Sequence, residues 1–223
     1  MNPEIVNRGI YLDFEKQIDD EKPAIAGVLV DDDYTCYGLD PIIEEAVTIL
    51  QSSRDNEQWE FQDVNTFALS ILERAEQEGR KIIGYTMTER NLLVELIGEE
   101  ERIDNVYFDA NIAPWFRERY RRTYRRLRRE NRNDARWRTN SSVGLKDFLS
   151  LGWVGYTYPS DLRNYSPATA LGRMRTELQR RGNYQAVARS VKRKFTMIHR
   201  YNFHDCKGMK HLLEFRLSRE SSR

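Results

Sequence analysis

Gly9-Ile10-Tyr11-Leu12-Asp13-Phe14-Glu15 is the stretch on which the fold turns. Its side chains alternate in an extended chain, with Ile10, Leu12 and Phe14 on one face and Tyr11, Asp13 and Glu15 on the other. A strand with one apolar and one partly acidic face follows. Residues 24–30 and 34–39 are two further β-like runs, and Asp31-Asp32-Asp33 between them reads as a hairpin connection, so three antiparallel strands open the chain.

Outward from these strands, helices and strands alternate. Residues 41–50 carry a helical pattern through Ile42, Ala46, Ile49 and Leu50, which the polar stretch 52–58 interrupts. Asp63 caps a second helix in which Phe67, Ile71, Leu72 and Ala75 recur at helical spacing until Gly79 ends it. Residues 81–86 read as strand, 89–97 as helix and 105–109 as a fifth short strand. The order βββαβαβ predicts an α/β fold. Beyond Pro114 the pattern is helical, with helices expected over 144–151, 167–181, 184–200 and 202–217.

The bulk composition narrows the function classes. With 39% hydrophobic residues over 223 positions, the chain can bury one substantial core without staples. Cys36 and Cys206 form no CxxC or CxxH pair, which argues against a disulfide framework and a structural zinc site. No apolar run approaches the roughly 20 residues of a membrane helix, and no basic segment leads into an apolar one at the start. A cytoplasmic protein without a membrane partner is the expectation.

A net charge of +1 conceals a strong asymmetry. Residues 1–110 hold 26 acidic and 9 basic side chains, whereas residues 111–223 hold 9 acidic and 27 basic ones. Such a division suits a polyanion meeting the basic half and cations gathering in the acidic half, unless the halves simply neutralise each other. The basic side chains are clustered. Eleven arginines lie between Arg117 and Arg138, opposed only by Glu118, Glu130 and Asp134. As one helix, this segment carries an apolar stripe of Phe116, Tyr120, Tyr124 and Leu127 beside a cationic one of Arg117, Arg121, Arg125, Arg128 and Arg132. One face would dock while the other meets nucleic-acid phosphates, with Tyr124 or Trp137 stacking on bases. Residues 131–142 read as a polar loop.

Four short segments carry the chemistry. Asp13-x-Glu15 throws two carboxylates onto one strand face ~7 Å apart along the chain, a spacing able to share divalent cations or to form a solvated acidic face. Glu89 opens the helix after a buried strand, where sites on α/β sheets gather, but Thr86-x-x-Glu89 is also a capping box. Asp109, ending the next strand, is the competing carboxylate and equally a cap before Ile112. Tyr201 and Asp205, four apart, share one helical face, so the carboxylate can bind a metal while the phenol orients a water. His199, His204 and His211 do not share a helix face with Cys206 well enough for a zinc cluster.

In order, Tyr11-Leu12-Asp13-Phe14-Glu15, Gly84-Tyr85-Thr86-Met87-Thr88-Glu89, Tyr107-Phe108-Asp109 and Tyr201-Asn202-Phe203-His204-Asp205 resemble the motifs of DEDD-type exonuclease domains. The resemblance is to ribonuclease H-like exonucleases found alone or beside RecB-type nucleases and helicases, and it spans residues 10–215. The stretch from Ser142 through Lys146 to Trp153 also resembles that group's serine-leucine-lysine helix. Thr86 stands where the group commonly has asparagine. Tyr201, four before Asp205, matches the tyrosine subtype; the histidine subtype would need histidine at the position of Arg200. The resemblance implies one domain over 1–223 with a mixed five-stranded sheet flanked by helices; the arginine-rich stretch, read as a helical insertion over 111–182, is longer than that group leads one to expect. It further implies two Mg²⁺ or Mn²⁺ ions at Asp13, Glu15, Glu89 and Asp205, with Tyr201 assisting, and 3′ to 5′ removal of nucleotides from DNA or RNA. A helicase or nuclease partner would fit the same resemblance. Two other classes stay open: a nucleic-acid-binding module with a decayed site, and a structure-specific endonuclease on the same fold.

Overall fold

The computed structural model describes residues 1–53, 57–133 and 143–221. Strand β1 (Ile10–Glu15) lies where the alternation puts it, and its two faces belong to two different cores. Ile10 and Leu12 face a layer built from α3 (Val64–Glu78), α4 (Met87–Ile97) and α5 (Glu100–Val106). Tyr11 faces the opposite layer, which is dominated by the long helix α10 (Arg189–Ser221) with α9 (Pro167–Arg181) and α8 (Leu145–Leu149) packed on it. Asp13 and Glu15 share the Tyr11 face by the period of two, so they look toward α10 rather than α3.

The sheet is mixed, in the order β4-β3-β2-β1-β5-β6. β2 (Ile25–Val30) runs antiparallel to β1 and to β3 (Asp33–Gly38), which bears out the three opening antiparallel strands. β5 (Ile82–Gly84) and β6 (Tyr107–Asp109) add parallel neighbours on the other side of β1. The β2–β3 turn is the Asp31-Asp32 pair, with φ of 51° and 70°. Both residues are left-handed, as a two-residue hairpin turn demands, and aspartate tolerates that conformation. Arg80 holds the turn through a bidentate pair to Asp31 at 2.9 and 2.6 Å.

Among the described residues, six strands, not five, make the sheet. The extra one, β4 (Trp59–Phe61), pairs parallel to β3 after the crossover through α2 (Glu44–Gln51). Three residues are too few to show an alternating pattern, and β4 is identified by its pairing, not by its composition. Two helical assignments also differ. α5 was not expected, because Glu100–Val106 is short and mostly polar, and it anchors only through Ile103 and Val106. The helices expected over 184–200 and 202–217 are one helix of 33 residues, about 50 Å long. No glycine or proline stands at the supposed break near Tyr201, and nothing there interrupts the backbone ladder.

The arginine-rich segment is bent rather than continuous. α6 (Ala113–Arg119) ends at Tyr120, whose backbone leaves the helical region, and α7 (Arg121–Asn133) begins directly after it. Phe116 and Leu127 are buried and Tyr120 and Tyr124 pack against the main core, so the expected apolar stripe does dock. Of the expected loop over 131–142, residues 131–133 belong to α7, and 134–142, with Trp137, lie outside the described residues.

Two glycines set how closely the layers approach. A Cβ on Gly27, opposite Asp13 in the β1–β2 ladder, would sit 2.7 Å from the Tyr34 hydroxyl and 2.8 Å from the Asn202 Cβ on α10. The absent side chain lets α10 lie directly on the strand beside Asp13. Gly208 does the same one layer out, where a Cβ would be 2.5 Å from Leu149 Cδ1, so α8 settles against α10. Gly27→Val should therefore cost about 1–3 kcal/mol through overpacking. Gly152→Ala, where an added Cβ meets nothing within 4 Å, should leave urea unfolding close to the parent's. Equal midpoints for the two variants would show that α10 does not depend on the gap at Gly27.

Candidate metal centre

Asp13 and Glu15 from β1 meet Asp205 from the middle of α10, with one carboxylate oxygen of each within 4.8 Å of the others. The sheet contributes the pair through its period of two, and α10 contributes the third through the close approach at Gly27. Asp205 is buried and the other two are half-buried. Asp13 Oδ2 is buried and takes no hydrogen bond from any described residue.

Asp205, in contrast, is held at both oxygens. The Tyr158 hydroxyl donates to its Oδ1 at 3.0 Å, and the Lys146 ammonium stands 3.0 Å from its Oδ2. Lys146 also hydrogen-bonds the Tyr201 hydroxyl and lies 3.6 Å from the centre of that ring. Tyr201, expected to orient a water, is thus linked to Asp205 through an ammonium. Neither Lys146 nor Tyr158 was singled out as a site residue from the sequence. Lys146 lies inside the segment quoted for its resemblance to a serine-leucine-lysine helix, and that was the one available signal. Tyr158 reaches its partner across 47 positions of chain, and nothing local marks it.

Electrostatics follow from crowding three acids away from water. Burial, then the charges of Glu15, Asp205 and Glu89, push the Asp13 carboxyl well above its usual range, with Lys146 opposing. Burial and then Asp205 push Glu15 up to about 8. Asp205 is raised by burial, against the pull of Lys146 and Tyr158. A site in which carboxylates favour protons over charge is one in which a cation would be welcome.

The remaining expected residues divide. Glu89 stands outside the three-carboxylate group, and its Oε2 accepts from the Thr86 amide at 3.3 Å in the capping box that the spacing allowed. It remains close: its charge raises both Asp13 and Glu15, and burial lifts its own carboxyl to about 7. Asp109 is exposed, outside the group, and accepts from the Asn111 amide at 2.8 Å. His199 lies buried between Trp59 and Tyr34, and His204 bonds Tyr156 at 2.9 Å; neither joins the acidic group. Arg117, Arg121, Arg125 and Arg128 are exposed and unpaired among the described residues, whereas the side chain of Arg132 lies outside them.

No family model matches this chain, and no curated protein or solved structure matches it. The donor set must therefore be judged on its chemistry. Several hard oxygens and no nitrogen or sulfur suit Mg²⁺, Mn²⁺ or Ca²⁺ rather than zinc or copper, and the bare Oδ2 of Asp13 fits a cation ligand.

The sign of the pH dependence is set by these shifts. A carboxyl whose folded pKa is raised keeps its full contribution below the ordinary value near 4.5 and loses it as pH rises toward the folded value. For Glu15 that window runs from 4.5 to about 8. The melting temperature of metal-free protein should fall between pH 5 and pH 8, Mn²⁺ should restore it at pH 8, and Glu15→Gln should flatten the decline. A parent curve that is level across this range, with or without Mn²⁺, would exclude a strained acidic centre.

Proposed function

We propose that this chain is a metal-dependent nuclease of the ribonuclease H-like class, acting on phosphodiester bonds of DNA or RNA, with a 3′ to 5′ exonuclease mode as the specific reading. The observation that carries it is the convergence of Asp13, Glu15 and Asp205 on one point, together with the unsatisfied, buried oxygen of Asp13. Structural carboxylates normally find a donor or stay in water. Three that crowd together instead favour a cation.

Charge distribution supports the same reading. The idea that the acidic and basic halves merely cancel requires ion pairs between them. Those among the described side chains are few, chiefly Arg175 with Asp20 and Asp40, and Lys210 with Asp32. The acidic half largely uses its own arginines, as in Arg90 with Glu100 and Asp104 and Arg102 with Glu76 and Glu99. Exposed arginines on α6 and α7 are left for a polyanion. Among the described residues no helix is long and apolar enough to cross a membrane.

Each side chain then has a task. Asp13, Glu15 and Asp205 would hold the divalent ions, with Glu89 adding negative charge beside them. Bound Mg²⁺ or Mn²⁺ supplies Lewis acidity toward the scissile phosphate and makes the attacking water more acidic. Tyr158 fixes the Asp205 carboxylate by its one hydrogen bond, as outer partners of metal ligands do. Lys146, 3.0 Å from Asp205 Oδ2, would bring a positive charge to the growing charge of the phosphate, and Tyr201 steadies that ammonium. The exposed arginines of α6 and α7 would grip backbone without reading sequence, and the 3′ to 5′ mode rests on the motif resemblance.

The test is single-turnover digestion of end-labelled single-stranded DNA and RNA with Mn²⁺, read as a product ladder. Stepwise shortening from the 3′ end is the expected result, and cleavage of a circular substrate would favour an endonuclease instead. Asp205→Ala should abolish cleavage and the Mn²⁺ effect on melting together. Tyr201→Phe should retain the Mn²⁺ effect while lowering the rate roughly 10²-fold. Parent protein that binds no Mn²⁺ and cuts nothing would remove the proposal.

A further inference from the structure

A cavity of about 320 Å³ lies between the start of α9 and α10, within the ~300–1,000 Å³ range of small-molecule sites. Tyr165, Ala170 and Met197 give it an apolar wall, and Arg173, Lys194 and Asp161 line the same space, the carboxylate of Asp161 being paired with Arg200 at 3.0 Å. Both cations are exposed, and neither has an ion-pair partner among the described residues. Arg173 differs in this from the other arginines of α9, whereas Arg189, Lys192 and Arg193 beside Lys194 on α10 likewise have no ion-pair partner among the described residues. Two residues along α9, Arg175 is tied to Asp20, Asp40 and Gln17, while Arg180 and Arg181 bracket Glu177 and Arg200 takes Asp161.

The cavity adjoins the carboxylate centre. The Tyr165 ring is 5.5 Å from that of Tyr201, which bonds Lys146 beside Asp205, and the Glu15 charge reaches the Tyr165 phenol. The Tyr165 hydroxyl donates to the Lys194 carbonyl at 2.5 Å, which joins the wall to the segment bearing one of the cations. A nucleotide offers the complementary set, a flat apolar base and an anionic phosphate. We infer that the space between Tyr165, Met197, Arg173 and Lys194 is a nucleotide subsite that holds a unit of the substrate strand next to the bond presented to the carboxylates. This rests on the nuclease reading for its substrate class, but strand binding there requires no metal.

The experiment is fluorescence anisotropy of the full chain with a short labelled oligothymidylate in EDTA, over a series of salt concentrations. Arg173→Ala with Lys194→Ala should weaken binding on the order of tenfold and lower the log–log salt slope by about 0.7, the single-strand value for the one phosphate that the two cations hold. Arg74→Ala with Arg102→Ala removes the same charge from the helical layer on the opposite face of the sheet and should leave the slope unchanged. An unaltered slope in the cavity variant, or an equal loss in both variants, overturns the subsite. So does a parent that binds no oligonucleotide. A parent that binds the strand through these residues yet shows no Mn²⁺-dependent cleavage would remove the nuclease reading and leave the subsite standing.

Discussion

Mutual repulsion among Asp13, Glu15 and Asp205 is the constraint around which the rest of the molecule is arranged. Two like unit charges ~4 Å apart repel by about 4 kcal/mol at an effective dielectric near 20, and this centre gathers three acids beside one ammonium. Such an arrangement persists only where the backbone over-determines it. β1 sits inside the sheet between β2 and β5, and Asp13 and Glu15 are paired with Gly27 and Ile25 of β2, so they cannot rotate away without breaking that ladder. α10 is pinned from both sides, by the missing side chain of Gly27 below and by α8 against Gly208 above. The strain is local, and its support is spread over the core.

That division explains which parts were legible in the sequence. β1, the hairpin and α3 were readable because their signals are local: a period of two, a turn of aspartates, Asp63 and Gly79 at the two ends of a periodic helix. β4 was not, since three residues carry no period and Trp59 becomes strand only by pairing with Cys36. The long α10 was divided in reading because its buried side chains change partners along its length, whereas its backbone does not notice the change. Of the centre, the acids were visible as residue types in an order. Lys146 and Tyr158 were not, because their roles exist only when α8 and the segment after it fold over Asp205.

The opposed charge of the two halves acquires a structural meaning once the ion pairs are placed. The acidic half pairs internally on the α3–α5 side, through Arg74, Arg80, Arg90 and Arg102. Its excess of carboxylates is then turned toward solvent or toward the centre. On the other side, α6, α7 and the start of α10 carry arginines and lysines, among them Arg117, Arg121, Arg125 and Lys194, with no ion-pair partner among the described residues. A polyanion, on the proposed reading, would be repelled by one layer and drawn to the other, and the acidic group lies where β1 faces α10. Long-range steering and the placement of the acids are therefore two consequences of one partition of charge.

Glu89 shows why a structural and a functional role need not compete. Its contacts with Thr86, to the amide at 3.3 Å and the hydroxyl at 3.4 Å, both fall on Oε2. A carboxylate has two oxygens and about four acceptor sites, so Oε1 takes no part in the bonds to Thr86. Those bonds fix the side chain over the end of β5, where a Cβ on Gly84 would lie 3.0 Å from Oε2. A carboxylate locked by its own helix cap loses little rotamer entropy when a cation arrives. Burial has already raised its proton affinity, so the arrival of positive charge would be coupled to proton release. The capping box, on this argument, is the means by which the helix holds the fourth acid near the other three without drawing it into the contact that would maximise their repulsion.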